Sequence, residues 1–292
     1  MKILKSYGSG VKQASSHGKM VLVLWAFNLL FGAAVYFVGR GYFANALGQS
    51  GLGETLRRFN TALFMEMLIH NGGALGTLFK VVLALAFLYF WVSIFLTGGI
   101  LHVLLRGGER VGEGPRQRLA PAFFQGAGRY FGRFFRLGIY SLLLWLGFLI
   151  VQWILSIVAG TLTADWSNEK MIYYVAWAWL AVSLILVFFI RMILDYARII
   201  VVREETGRVW RSLWAAVRFV FKRFFGTLAL YYLLLITGVV IFLVYWGINS
   251  RVPTDSAGAI WLAFLIGQVF IISRGWLKVA FQAGQLNFYG RD

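Results

Sequence analysis

The chain has 292 residues, of which 60% are hydrophobic, 18% aromatic and only 13% charged, and its formal net charge is +17. Ordinary globular chains are about 45–50% apolar and about 25% charged, so a water-soluble fold is excluded: it could not hide this much apolar surface. The composition predicts an all-α, polytopic membrane bundle, with residues 1–292 forming a single integral membrane domain. The absence of cysteine removes disulfides, iron–sulfur clusters, thiol catalysis and thiolate metal sites together.

In chain order, the amino-terminal tail carries Lys2, Lys5, Lys12 and Lys19 and no acid. A first span is expected near residues 20–38, as a hydrocarbon core takes about 20 helical residues to cross. Its apolar run outlasts a signal-peptide core, and Phe37-Val38-Gly39-Arg40 is a poor cleavage site, so it is read as an uncleaved anchor. Next, Leu52, Leu56, Phe59, Leu63 and Met67 recur at steps of four and three, which predicts a short helix on the outer face. Asn71-Gly72-Gly73 ends that run, and the second span follows near residues 81–105.

Over residues 121–136, Arg129, Arg133 and Arg136 recur at four and three and share one helical face. Phe124, Ala127, Phe131 and Phe134 make a second stripe, and Pro121 suits a first helical turn. The third and fourth spans are expected near 137–158 and 171–192. Arg191, Asp195 and Arg198 follow at four and three, so Asp195 can pair with either arginine. That trio reads as an ion-paired hinge or headgroup site at the membrane interface, or as a plain helix-end salt bridge; its depth decides between them.

Residues 208–224 segregate more sharply. Arg208, Arg211, Arg218 and Lys222 line one face, while Trp210, Leu213, Trp214, Val217, Phe221 and Phe224 line the other. Such a helix lies in the membrane interface with its aromatic face down and its basic face toward anionic headgroups, or packs as a connector on the end of the bundle. The two roles are compatible in one helix. The last spans are expected near 225–246 and 257–272, the sixth bounded by Arg274 and Lys278.

Basic residues concentrate in alternate connections, so the positive-inside bias puts both termini in the cytoplasm. The same bias accounts for the net charge without invoking nucleic acid. Arg129-Tyr130-Phe131-Gly132-Arg133-Phe134-Phe135 before the third span parallels Arg218-Phe219-Val220-Phe221-Lys222-Arg223-Phe224-Phe225 before the fifth. With the amino-terminal tail as a third copy, this predicts tandem units, each a basic helix followed by a membrane hairpin.

Catalytic and cofactor chemistry finds little to work with. His17, His70 and His102 stand apart, and no His-Glu-x-x-His occurs. Glu66 and His70 are one helical turn apart but lack further ligands, and a lone His102 near a helix end is an interfacial residue rather than a haem ligand. There is no phosphate-binding Gly-x-x-x-x-Gly-Lys loop and no Gly-x-Ser-x-Gly elbow. All three prolines, Pro115, Pro121 and Pro253, lie outside the spans, unlike the interrupted helices of many secondary transporters.

The stretch from Gly98-Gly99 through Phe123, the run from Arg129 to Arg136, and Asp195-Tyr196-Ala197-Arg198 with the basic helix after it resemble a known group. They are similar to bacterial six-helix membrane proteins of unknown function, related to the membrane domain found with glycerophosphodiester phosphodiesterases. The resemblance implies a bacterial inner-membrane protein of tandem helical hairpins, often an accessory or partner-dependent component. It carries over no catalytic residue and no phosphodiesterase activity. The resulting expectation is a non-enzymatic accessory, assembly or lipid-organising component without a cofactor. Its partners are anionic lipids and, as a further option, a protein at the cytoplasmic face. A permease-like subunit working with a separate ATPase is the alternative reading, and a lipid-modifying enzyme the third.

Overall fold

The computed structural model describes residues 2–47, 72–109, 119–163, 169–205, 207–253 and 256–290. Among these nearly every residue is helical and no strand occurs. The described helices are α1 (Lys2–Ser16), α2 (Gly18–Leu47), α3 (Gly72–Glu109), α4 (Leu119–Thr163), α5 (Glu169–Arg203), α6 (Val209–Lys222), α7 (Phe224–Asn249) and α8 (Ala257–Gly290). Six of them, α2, α3, α4, α5, α7 and α8, are long and apolar enough to span a membrane. The protein is an all-α, multi-pass membrane bundle, and each expected span falls within one of these helices.

Two boundaries differ from the sequence reading. The sixth span does not stop at residue 272, because α8 runs on through Arg274 and Lys278 to Gly290. Residues 121–136 are not a separate helix either. They form the start of α4, which continues unbroken to Thr163 because nothing between Arg136 and Leu137 interrupts helical geometry. The second basic segment is separate. Arg223 breaks the helix between α6 and α7 at φ −120° and ψ 33°, while its N–H still donates to Phe219 O at 3.0 Å. The helix expected over residues 52–67, with Glu66 and His70, lies outside the described residues.

Helix length explains where the core sits. At 1.5 Å per residue, the 45 residues of α4 extend about 67 Å and the 38 of α3 about 57 Å, against a hydrocarbon core of about 30 Å. Much of each long helix therefore lies beyond the bilayer interior.

The chain folds as two compact units, residues 19–93 and residues 1–18 with 94–292. In the smaller unit α2 and the first part of α3 form a hairpin. Tyr89 Oη donates to Asn28 Oδ1 at 2.8 Å, and the Tyr89 ring meets Phe31 edge-on at 5.2 Å.

In the larger unit the buried core gathers at the end that holds both termini. Its fully buried side chains include Ile100 and Leu104 on α3, Tyr130 and Leu137 on α4, Ile199 and Ile200 on α5, and Leu230 and Leu234 on α7. Farther along α4, α5 and α7, and at the start of α8, large apolar side chains such as Leu149, Trp153, Ile185, Val244 and Trp261 point outward. Lipid tails solvate such surfaces, so exposure carries no hydrophobic cost there. Within the membrane the hairpins are tied internally. Gln152 on α4 donates from its amide to Ser183 Oγ on α5, and its Oε1 accepts from Trp179 Nε1 at 2.7 Å. On the α7–α8 hairpin, Tyr245 stacks on Phe270 with centroids 4.3 Å apart.

One pairing recurs three times. A basic helical segment that precedes an odd-numbered span packs on the terminal part of an even-numbered one. The start of α4 lies on the end of α3, where Gly98 faces Ala127, Gly99 faces Phe123 and Gly126 faces His102. Helix α6 covers the end of α5, burying Val209, Ser212, Leu213, Ala216 and Val220. Helix α1 is the third copy, and it packs on α8. Its buried residues are Ser6, Gly10 and Ala14; Gly10 meets Ala280 and Gly284, and Ser6 also meets Gly284. Small residues at these contacts let helix backbones approach closely, the usual basis of helix pairing where lipid removes the hydrophobic drive.

Candidate functional site

Helix α6 has three sectors rather than the two read from the sequence. At 100° per residue, Val209, Ser212, Leu213, Ala216 and Val220 form the sector packed on α5. Trp210, Trp214 and Phe221 form a second, and all three are more than half exposed. Arg211, Arg218 and Lys222 form the third, also exposed, with Arg208 just ahead of the helix. Leu213, expected on the aromatic face, belongs to the packing sector because at 100° per residue it lies about 20° from Val220 and about 40° from Val209, against about 60° from Trp210 and about 100° from Trp214. Trp210 is braced by Trp214 at 6.1 Å and by Tyr140 of α4 at 5.8 Å.

At the start of α4 the buried stripe is Phe123, Ala127, Tyr130 and Phe134, while Phe124, Phe131 and Phe135 are exposed. The expected stripe of Phe124, Ala127, Phe131 and Phe134 thus mixes two faces. The three arginines also have different surroundings. Arg129 Nη2 donates to Glu205 Oε2 at 2.8 Å in a largely solvated ion pair. Arg133 lies over the Tyr130 ring at 5.8 Å, with Nη1 buried and without a hydrogen-bond partner among the described residues. Arg136 is exposed.

Glu204 and Glu205, which no helical pattern in the sequence singles out, tie three helices at the end of α5. Glu205 accepts from Arg129 and, at 3.4 Å, from Tyr130 Oη. Its φ of 49° is a left-handed conformation that costs a non-glycine residue roughly 1–2 kcal/mol, so these contacts hold a strained turn. Glu204 Oε1 accepts from Tyr289 Oη of α8 at 2.7 Å, and Arg203 lies over the Tyr289 ring at 5.2 Å. Nothing in the sequence pattern links residues 129, 205 and 289.

The trio on α5 is brought together in part. Arg198 Nη1 donates to Asp195 Oδ1 at 3.0 Å, and each side chain is 31% exposed. Arg191 is exposed and within electrostatic reach of the same carboxylate. Two groups from α8 also act on Asp195, the buried Gln285 through a side-chain hydrogen bond and Lys278 through its charge; the sequence marked Lys278 only as a limit of the sixth span and Gln285 not at all. The signal that marks them is spacing. Lys278, Gln282 and Gln285 repeat the four-and-three interval of Arg191, Asp195 and Arg198.

His102 is buried at 3% exposure, with its ring 5.7 Å from that of Tyr130 and pressed against Gly126. It is a packing residue in the α3–α4 contact rather than a residue facing a bilayer interface. Among the described residues no group of three or more His, Cys, Asp or Glu side chains converges on a point where a metal ion would bind.

The fold and these surfaces define a class: a multi-pass, all-helical membrane protein whose buried core and basic aromatic helices share the end holding both termini. No protein-family model, curated protein sequence or solved structure matches the chain.

Proposed function

We propose that this is a non-enzymatic accessory or lipid-organising component of a bacterial inner membrane, with both termini in the cytoplasm. The observation that carries the reading is the three-sector division of α6. One face holds the helix to the bundle, and the aromatic and basic faces stay exposed side by side. That arrangement suits Trp210, Trp214 and Phe221 for the acyl boundary and Arg211, Arg218 and Lys222 for anionic headgroups. Each such cation contributes about 1 kcal/mol near an anionic leaflet. The resemblance to bacterial six-helix membrane proteins of unknown function implies an accessory role of the same kind.

The full chain is the right object for the test, because an isolated α6 peptide would also expose the face it packs on α5. In nanodiscs of mixed lipid, replacing Arg211, Arg218 and Lys222 together by glutamine is expected to cut enrichment of anionic lipid around the protein at least tenfold. High salt should erase most of the native enrichment, since screening shortens from about 10 Å at 0.1 M to about 3 Å at 1 M. Equal lipid enrichment in native and substituted protein would make this face a protein-docking surface instead, as the permease-subunit alternative requires.

Orientation has its own test, and the absence of cysteine makes it simple. Ser6 is unsuitable as a labelling position because it is buried against α8. Ser16 and Arg251 are exposed at opposite ends of the bundle. With an impermeant thiol reagent on intact cells, the Arg251→Cys variant is expected to label and the Ser16→Cys variant to label only after permeabilisation. The reverse pattern would invert the proposed topology.

A further inference from the structure

Helix α6 depends on a partner surface. With 14 residues and no side-chain cap from Arg208, it is at the length where an isolated helix is marginal. Glu205 before it, at φ 49°, and Arg223 after it, at φ −120° and ψ 33°, interrupt helical geometry. Those two breaks are points at which α6 can turn as one body without bending α5 or α7.

Two surfaces suit it. At 100° per residue the sector packed on α5 runs from Phe219 at one edge to Leu213 at the other, and the sector of Trp210, Trp214 and Phe221 adjoins it on the Leu213 side. Together they make one almost wholly apolar arc of about 220°, opposite Arg211, Arg218 and Lys222. Rolled through a quarter turn, that arc is the buried face of a helix lying in a bilayer surface with its cations among the headgroups. The seat on α5 is also imperfect, since Ser212 Oγ is buried in it without a hydrogen-bond partner among the described residues.

The last described turn of α8 holds the helix in that seat. Phe288 is buried and presses on Gly226 at the start of α7, where a Cβ would lie 2.8 Å from the ring. Phe219 of α6 meets the Phe288 ring at 6.3 Å, the Tyr289 ring edge-on at 4.9 Å and the Tyr196 ring of α5 at 5.0 Å. Tyr289 is in turn fixed to the end of α5. Its Oη donates to Glu204 Oε1 at 2.7 Å, Arg203 lies over its ring at 5.2 Å, and Arg203 Nη2 donates to Gly290 O at 3.5 Å. Phe219 stands about 160° around α6 from the middle of the Trp210–Trp214–Phe221 sector. The grip is therefore on the flank away from the tryptophans, where it opposes a roll toward the membrane.

We infer that the turn Phe288–Gly290 is a strap that keeps α6 docked on α5, and that loosening it lets α6 roll as a unit onto the membrane surface. This names a control on the lipid-facing helix and so rests on the function proposed for it. The strap itself is read by a distance rather than by lipid binding.

The test measures distances between paired spin labels on the full-length protein, in nanodiscs of anionic and of neutral lipid. Ala215→Cys reports on α6 and lies outside its aromatic and basic faces, and Gly128→Cys on α4 has open space where its Cβ would be. The native strap should give one dominant distance. In the variant carrying Phe288→Ala and Tyr289→Ala together, a second distance is expected, its share raised about tenfold and larger in anionic than in neutral nanodiscs. Tyr289→Phe keeps the ring contacts and loses only the bond to Glu204, so its effect should be smaller. Labels at Gly128→Cys and Ser16→Cys, a pair that leaves α6 out, should keep one distance in every variant. An unchanged α6 distance in the double variant, or an equal change in the control pair, overturns the strap. A second distance with the same share in both lipids upholds the strap and removes the headgroup role of Arg211, Arg218 and Lys222, so the two readings fail separately.

Discussion

Gly10→Ala is expected to destabilise the protein by about 1–3 kcal/mol, the usual cost of overpacking a close contact, whereas Gly8→Ala, two residues away, should be neutral or stabilising. A Cβ on Gly10 would lie 2.8 Å from Ala280 O and from the Cα and N of Gly284. All three are backbone atoms, so no side chain can swing aside and α1 or α8 must shift. A Cβ on Gly8 meets nothing within 4 Å, and alanine gains up to about 1 kcal/mol of helix propensity over glycine. Gly10→Leu should undock α1 altogether. Thermal unfolding in detergent and protease sensitivity of the amino terminus would measure both effects. Equal melting of the Gly8 and Gly10 variants would mean that the α1–α8 contact does not form.

The contact between α3 and α4 predicts the second large effect. Gly126→Ala would collide with His102 Cβ and Cγ, and Cβ is fixed to the α3 backbone, so the helices must separate. The expected loss is again about 1–3 kcal/mol, while Gly128→Ala, which faces open space, should cost nothing. If steric overlap is the cause, adding His102→Gly should recover part of the loss, less about 1 kcal/mol for the glycine introduced into α3. The cycle of single and double variants isolates that coupling. Strictly additive losses would show that residues 102 and 126 do not touch.

These glycines also mark how far the sequence could be read. The six spans were legible because bilayer thickness imposes a length on apolar runs, and residues such as Leu142 to Leu146 announce it by composition alone. The sixth helix was cut short at residue 272 because Arg274 and Lys278 were taken as limits, whereas α8 carries both inside a helix that extends past them. Which face of a helix meets protein was harder. Phe123 is buried and Phe124 exposed, although the two are the same residue, so hydrophobicity could not separate a lipid-facing ring from a packed one. The close contacts left no apolar signature at all. Ser6, Gly10 and Ala14 matter for their size, and a search for small residues at intervals of four would have found them where a search for hydrophobic period did not.

On the candidate site, α6 and the Arg191–Asp195–Arg198 trio were visible because each is a periodic pattern within one helix. The contributions of Lys278, Gln285 and Glu205 were not, since each depends on which helix packs beside which. Arg129 and Glu205 are 76 residues apart, and only the strained turn after α5 brings them within 2.8 Å.

The docking of α1 on α8 has a consequence for how the protein is made. The first described helix leaves the ribosome before any of the six spans, and its partner surface at Ala280 and Gly284 lies on the sixth of them. At translation rates of about 5–20 residues per second, α1 waits roughly 13–50 seconds for the intervening 260 or so residues to appear. During that wait its small-residue face has no native partner, and closing the contact joins segments almost a whole chain length apart. Such high contact order slows the final step. A circularly permuted chain, in which a short linker carries α8 directly into α1, would make that contact local, and it should reach the folded state sooner.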